Sequence, residues 1–247
     1  MAVHNIDINC DIGEGVGNEE LLFPFVSSCN IACDGHAGDE ISMRKMVKLA
    51  MNENIKIGAH PSYPDKENFG RISIKMTKTD LQESIISQLN ALSAIVNKER
   101  GKLHHIKPHG ALYNDLVKDE TLVISFLEAI EVYKKQVFVY VPYTSMIATK
   151  ALENGFKIKY EAFADRRYNT DLSLVSRLKA NAVINVPENV LNQVISMVKK
   201  GQVTTVTDNV VNIKANTFCV HGDTATAVDI VTHLYNELPK HGISIRK

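Results

Sequence analysis

Tryptophan is absent from the 247 residues, and aromatic residues make up only 6% of them, so no stacking surface for carbohydrate is advertised. An excess of one charge sign is also missing, because Lys plus Arg and Asp plus Glu number 28 each. No run of five or six like charges occurs. A neutral chain of this kind has no electrostatic reason to bind nucleic acid or an anionic membrane. No apolar stretch approaches the length needed to span a bilayer. Residues 1–9 have no basic start and no long apolar middle, so they read as a strand-like opening and not as a signal peptide. The expected location is therefore the cytoplasm. Cysteine is scarce: Cys10, Cys29, Cys33 and Cys219 match no zinc ribbon and no CxxC spacing, and they read as reduced, buried, small hydrophobes. There is no Walker A sequence, no kinase-type glycine loop and no G-x-S-x-G elbow. Cys33 lies three residues before His36 but reads as a core residue of a strand, not as a nucleophile.

What is present is a strand-then-helix rhythm. Seven β-rich runs fall at residues 6–11, 29–33, 55–60, 104–109, 137–141, 158–163 and 217–221. Most of the intervals have helical period. Residues 40–52 place Ile41, Met46, Val47 and Ala50 on one face. Residues 80–98 do the same with Leu81, Ile85, Ile86, Leu89, Leu92 and Val96. Thr79 with Gln82 three residues on predicts a capping-box start for that helix. Pro187 opens a helix to Lys200, and Gly201 stops it. Residues 63–75 read as a long loop, and 202–214 as a hairpin around Thr207, Asp208 and Asn209. Strands alternating with helices imply a parallel sheet with right-handed crossovers. Ionisable residues end nearly every strand, which fits a barrel with one shared site better than an open sheet with one switch point. The expected fold is α/β, a seven-stranded parallel β/α barrel forming one domain over residues 1–247.

Strand one carries Asp7, Asn9 and Asp11 on alternate positions, so all three face the same way. A solvated edge strand would explain them blandly; in a covered parallel sheet they face the site. Glu14 follows in a glycine-containing loop. His36 and Asp39 follow strand two, and Asp39 also suits a helix N-cap. His60 ends strand three, Lys107 and His109 strand four, Glu161, Asp165 and Arg166 strand six, and His221 and Asp223 strand seven. A lone histidine near a turn is usually structural. His36, His60, His109 and His221, each at the end of a different strand, point instead to one pocket. Histidines with carboxylates suit a divalent metal or acid–base hydrolysis. His36, His60 and His221 are the candidate metal ligands. Asp11, His60, Lys107, His109, Glu161 and Arg166 are the candidate catalytic groups, with Asp11 or His60 as base and Lys107 and Arg166 as charge stabilisers. Asp7, Asn9, Glu14, His36, Asp39, Arg71, Asp165 and Asp223 are the candidate substrate-binding groups.

Seven blocks in order resemble the LamB/YcsF family, the A subunits of prokaryotic 5-oxoprolinase. They are residues 7–14 (DINCDIGE), 30–39 (NIACDGHAGD), 58–64 (GAHPSYP), 69–71 (FGR), 107–114 (KPHGALYN), 161–168 (EAFADRRY) and 219–223 (CVHGD). The resemblance spans the whole chain. It implies hydrolytic opening of 5-oxo-L-proline to L-glutamate coupled to ATP hydrolysis, with B and C partner subunits. It also implies a seven-stranded barrel related to polysaccharide deacetylases. In the absence of a Walker motif, ATP would use an unorthodox site or one shared with a partner. Two departures occur. The family usually has CGFHAGD where this chain has Asp34 and Gly35, and GFGRR where this chain has Asn68 and Ile72 flanking Phe69, Gly70 and Arg71. A stand-alone metal-dependent deacetylase or amidohydrolase, and a non-catalytic binding subunit, are the competing readings. Assembly into a homo-oligomer stays open.

Overall fold

A computed structural model describes residues 4–177 and 179–247. The first three positions of the strand-like opening lie outside the described residues. The first strand, β1 (His4–Ile12), sets the plan. Ile8, Cys10 and Ile12 are buried on its outer face, while Asp7 and Asn9 are buried on the inner one. A short helix α1 (Glu19–Leu22) follows, then β2 (Ser28–Ala32), α2 (Glu40–Asn52), β3 (Lys56–His60), α3 (Lys78–Lys98) and β4 (Leu103–Ile106). Next come α4 (Gly110–Asp115), α5 (Glu120–Ala129), β5 (Phe138–Pro142), α6 (Met146–Glu153) and β6 (Lys157–Phe163). The chain ends with α7 (Pro187–Lys200), a hairpin of β7 (Gln202–Thr204) and β8 (Val210–Asn212), then β9 (Thr217–Cys219), α8 (Ala227–Glu237) and β10 (Ile243–Ile245).

Seven strands pair in parallel in the order β1-β2-β3-β4-β5-β6-β9, and β9 pairs back onto β1. Asn9 has Ser28 on one side and Cys219 on the other, so the sheet is a closed barrel. All seven expected strands are present. The fourth is shorter than expected and stops at Ile106. β10 adds to the lower part of β1, opposite His4, Asn5 and Ile6. The expected hairpin is β7–β8. All four cysteines are free and buried. Burial pushes the Cys33 thiol up to about 12 and raises those of Cys10, Cys29 and Cys219, so none is a ready thiolate at neutral pH.

Helix details correct the sequence reading in three places. α3 starts two residues earlier than Thr79 would place it, because Thr77 is the cap and its hydroxyl accepts from Asp80 N–H. Gln82 does not close a capping box; its amide donates to the Ser125 carbonyl and to Glu128 on α5. Ile41 is 82% exposed, and Met43 takes its place on the buried face of α2. Ile86 is exposed as well. Both isoleucines lie one position off the stripe that touches the barrel, where a 100° step per residue turns them outward. α7 runs from Pro187 to Lys200, and Gly201 adopts the left-handed conformation that ends it.

Candidate active site

The barrel interior is filled by a polar cluster. Lys107 is buried, and its ammonium lies 2.9 Å from Asp11 Oδ1, 3.0 Å from Glu161 Oε1, 3.1 Å from Cys219 Sγ and 3.3 Å from Asn9 Oδ1. Burial alone would lower the lysine pKa, but Asp11, Cys219 and Glu161 outweigh it and hold it well above the usual lysine range. Burial would likewise raise the Asp11 carboxyl; His60 and Lys107 reverse that and hold it well below the carboxylate range. Asp11 also accepts from Asn30 Nδ2 at 2.7 Å. Asn9 donates to Glu161 and to Thr217 Oγ1, at 3.0 and 2.7 Å.

Above this pair lie three histidines and Glu14. His60 Nδ1 donates to the Lys107 carbonyl at 2.7 Å, which leaves its Nε2 as an acceptor. His109 Nε2 donates to the Phe69 carbonyl at 3.0 Å, which leaves its Nδ1 as an acceptor. These two acceptor nitrogens face each other at 3.0 Å. Glu14 Oε1 is 3.4 Å from His109 Nδ1 and 3.9 Å from His60 Nε2, while Asp11 Oδ1 is 3.4 Å from His60 Nε2. Four acceptors converging in a dry site require a proton or a cation among them. His36 donates Nε2–H to Glu14 at 2.9 Å and stacks on His109 with centroids 3.6 Å apart. Its Nδ1 is buried and unpartnered. Burial lowers the His36 pKa; burial with the neighbouring His60 and His36 lowers that of His109 further. Gly70, in the FGR block, has φ +61°, and a Cβ there would lie 2.9 Å from His36 Cβ and 3.0 Å from His109 Cδ2. Only glycine lets this loop close over the two rings.

Two sets of candidate metal ligands lie close together among the described residues: Glu14, His36, His60 and His109, and separately Asp11, Cys219 and His221. The expected trio of His36, His60 and His221 is therefore split, with His109 and Glu14 taking the place of His221. His221 is occupied elsewhere. Its Nδ1 is 2.9 Å from Asp165 Oδ1, and its backbone N–H donates to Asp165 Oδ2 at 2.9 Å. Burial would raise the Asp165 carboxyl, but the His221 charge and hydrogen bonds lower it.

Three other expected site residues are engaged outside the central cluster. Asp39 is exposed and caps α2 in a capping box with Ser42. The buried Arg166 gives Nη2–H to the Val175 carbonyl at 2.6 Å and reaches the Ala182 carbonyl, so it ties down the segment after β6. Asp7 lies four residues below Asp11, about 13 Å along a strand. Its carboxylate is taken up by Ser28, Thr217 and Lys56. Arg71 and Asp223 meet at the mouth at 2.7 Å, joined by Arg177 at 3.0 Å, which the sequence reading did not single out. A cleft of about 460 Å³ adjoins them, lined by Arg177, Lys179, Asn185, Asp223 and Thr224. Asn30 and His105 were also missed; both are polar residues within strands, where no motif rule applies. At the family departure, Asp34 has φ +75°, a conformation glycine adopts more readily. Gly35 has no room for a side chain, because a Cβ would lie 2.3 Å from Gln88 Oε1. The Gln88 amide fills that space and clamps the Ser62 N–H and carbonyl.

The LamB/YcsF family profile matches residues 6–247. The chain belongs to the LamB/YcsF family. It is 45% identical over 245 residues to a Thermococcus sibiricus protein named as the A subunit of 5-oxoprolinase, covering 97% of this chain and 96% of that one. A Staphylococcus carnosus protein of the same name is 39% identical, with 98% of each chain covered. The crystal structure of a lactam utilization protein from Thermus thermophilus superposes with a TM-score of 0.90 at 29% identity, covering 98% of this chain and 99% of that one. No helix among the described residues is long and apolar enough to cross a membrane.

Proposed function

We propose that this member of the LamB/YcsF family is the A component of an ATP-dependent 5-oxoprolinase, which opens 5-oxo-L-proline to L-glutamate together with B and C subunits. The observation that carries the reading is the Asp11–Lys107–Glu161 cluster under the His60–His109 pair at the mouth of the barrel. Family membership supplies the substrate. A five-membered lactam is a stable amide, so transfer of a phosphoryl group from ATP to its carbonyl oxygen makes water attack feasible.

The ring then opens when water adds to the activated carbonyl carbon, the C–N bond breaks, and the nitrogen takes a proton. His60 Nε2 and Asp11 Oδ1 form the acceptor pair that takes the proton from water. Lys107 does not grip the substrate, because its donors are already directed at Asp11, Glu161 and Cys219; it keeps Asp11 ionised and fixed. His221, oriented by Asp165, supplies the proton to the leaving nitrogen. Arg71 and Arg177, held at the mouth by Asp223, receive the substrate carboxylate or the phosphoryl group.

Glu14, His60 and His109 also fit a divalent metal. Their mutual distances of 3.0, 3.4 and 3.9 Å bracket the ligand spacing of about 3.3 Å expected in a zinc tetrahedron. Such an ion would supply Lewis-acid polarisation of the carbonyl. This cluster is what favours the second reading, a metal-dependent amidohydrolase acting alone.

The deciding experiment mixes the purified chain with its B and C subunits and measures glutamate and ADP from 5-oxo-L-proline and ATP. Glutamate in equal amount to ADP, only when all three subunits are present, is the expected result. No glutamate under any condition overturns the reading. Lactam or amide hydrolysis by the chain alone, dependent on zinc or manganese, replaces it with the second.

A further inference from the structure

His105 is fully buried in the barrel, and the chemistry above does not use it. Its seat is costly. Gly58 on β3 pairs with it across the sheet, and a Cβ at Gly58 would lie 2.0 Å from His105 Nε2. A strand interior thus gives up a side chain so that one imidazole can occupy the barrel. Tyr140 on β5 stacks on the other face of the ring, with centroids 3.9 Å apart and planes 7° from parallel.

The hydrogen bonds of the ring are fully determined. Nε2 meets Asn30 Oδ1 at 2.6 Å, and an amide oxygen only accepts, so Nε2 carries the proton. Nδ1 is then the acceptor, and His104 Nδ1–H donates to it at 3.0 Å. Both protons of the Asn30 amide point onward, to Asp11 Oδ1 and Asn9 Oδ1, each at 2.7 Å. A flipped Asn30 amide would instead set its oxygen against two other oxygens. The His105 N–H is what selects the productive orientation.

We infer that His105, acting through Asn30, is a positioning residue for the Asp11 carboxylate. It sits one layer below the reacting groups and fixes the direction in which Asp11 presents its free lone pairs. The inference deepens the proposed function and rests on it for the role of Asp11.

The test uses the three-subunit complex carrying His105→Phe, which keeps the stack on Tyr140 but loses the N–H, and His105→Gln, which restores an N–H donor. His105→Leu serves if the Phe ring is not accommodated. Loss of one oriented hydrogen bond should lower kcat about tenfold with KM changed less than about twofold in the Phe variant, and the Gln variant should recover most of it. A Phe variant with wild-type kcat overturns the inference. So does a Gln variant as slow as the Phe variant, because the ring would then be filler. A readout free of substrate separates this from failure of the functional reading. In the ¹⁵N-asparagine-labelled chain, the Asn30 side-chain protons should exchange slowly with solvent in the wild type and the Gln variant, and at least about tenfold faster in the Phe variant. Equal exchange in all three overturns the inference even if the complex proves inactive.

Discussion

Lys107→Met is the perturbation that probes the barrel interior most directly. Methionine keeps the length and apolar stem of lysine but removes the charge. The variant leaves Asp11 and Glu161 buried with their shared cation gone, at sites where the ammonium had been 2.9 and 3.0 Å away. Breaking a buried pair by removing one partner costs about 3–5 kcal/mol. For a chain of this size each kcal/mol corresponds to about 2–4 °C, so the melting temperature should fall by about 6–20 °C at pH 7. The pH dependence gives a sharper check. The Asp11 carboxyl is held well below its ordinary value, so its contribution is fully present above the unfolded-state pKa and is lost as pH falls through the carboxylate range. The stability gap between wild type and Lys107→Met should therefore narrow between about pH 5 and 3. Adding Glu161→Gln should recover about 1–3 kcal/mol, because it removes one of the stranded charges. Urea unfolding across that pH range, followed by circular dichroism, measures all three quantities. A Met variant within about 1 kcal/mol of wild type at pH 7, or a gap that widens on acidification, would refute the account of the cluster as an ion pair with matched charges.

Asp165→Asn should leave the fold intact but lower kcat of the complex by about 10²-fold or more, since it unsets the His221 tautomer; steady-state kinetics beside a thermal melt checks both. Gly58→Ala should destabilise the chain by about 1–3 kcal/mol, because a Cβ there occupies the place of the His105 ring. Burial lowers the His104 pKa to about 4, and it also lowers that of His105. A histidine with a depressed pKa takes up protons more readily when unfolded, so stability should fall as pH drops from about 6.5 towards 4. His104→Gln should flatten that slope in denaturant titrations at pH 7, 5.5 and 4.5.

The barrel was legible because burial on both faces of a parallel strand leaves short apolar runs, and because polar residues have only one end of such a strand to occupy. Asp11, Glu14, His36, His60, Lys107, His109 and Glu161 were legible for the same reason, and the barrel brings them together. Arg166 misled because strand period fixes the direction of a side chain only while the strand lasts; Arg166 lies past Phe163, where the chain has already turned. Asp39 was ambiguous from the start, since the same residue type suits a cap and a ligand site. His221 stands at the mouth as expected, but on the Asp165 side, which only the closed ring fixes. Asn30 and His105 were invisible because each is matched by a partner from a distant strand. The same is true of Gly35 and Gln88, where a missing side chain on one loop is filled from a helix more than fifty residues later.

The pairing of β1 with β9 has a consequence for the newly made chain. Asp7 and Thr217 are hydrogen-bonded across 210 residues of sequence. During synthesis from the N-terminus, one edge of β1 stays open until nearly the whole chain has been made. An open apolar edge invites pairing with other chains. Asp7, Asn9 and Asp11 on alternate positions of that strand make such pairing unfavourable, because a stray partner would have to bury two carboxylates without their lysines. The residues that serve the finished pocket thus also act as gatekeepers against aggregation while the barrel is still unclosed.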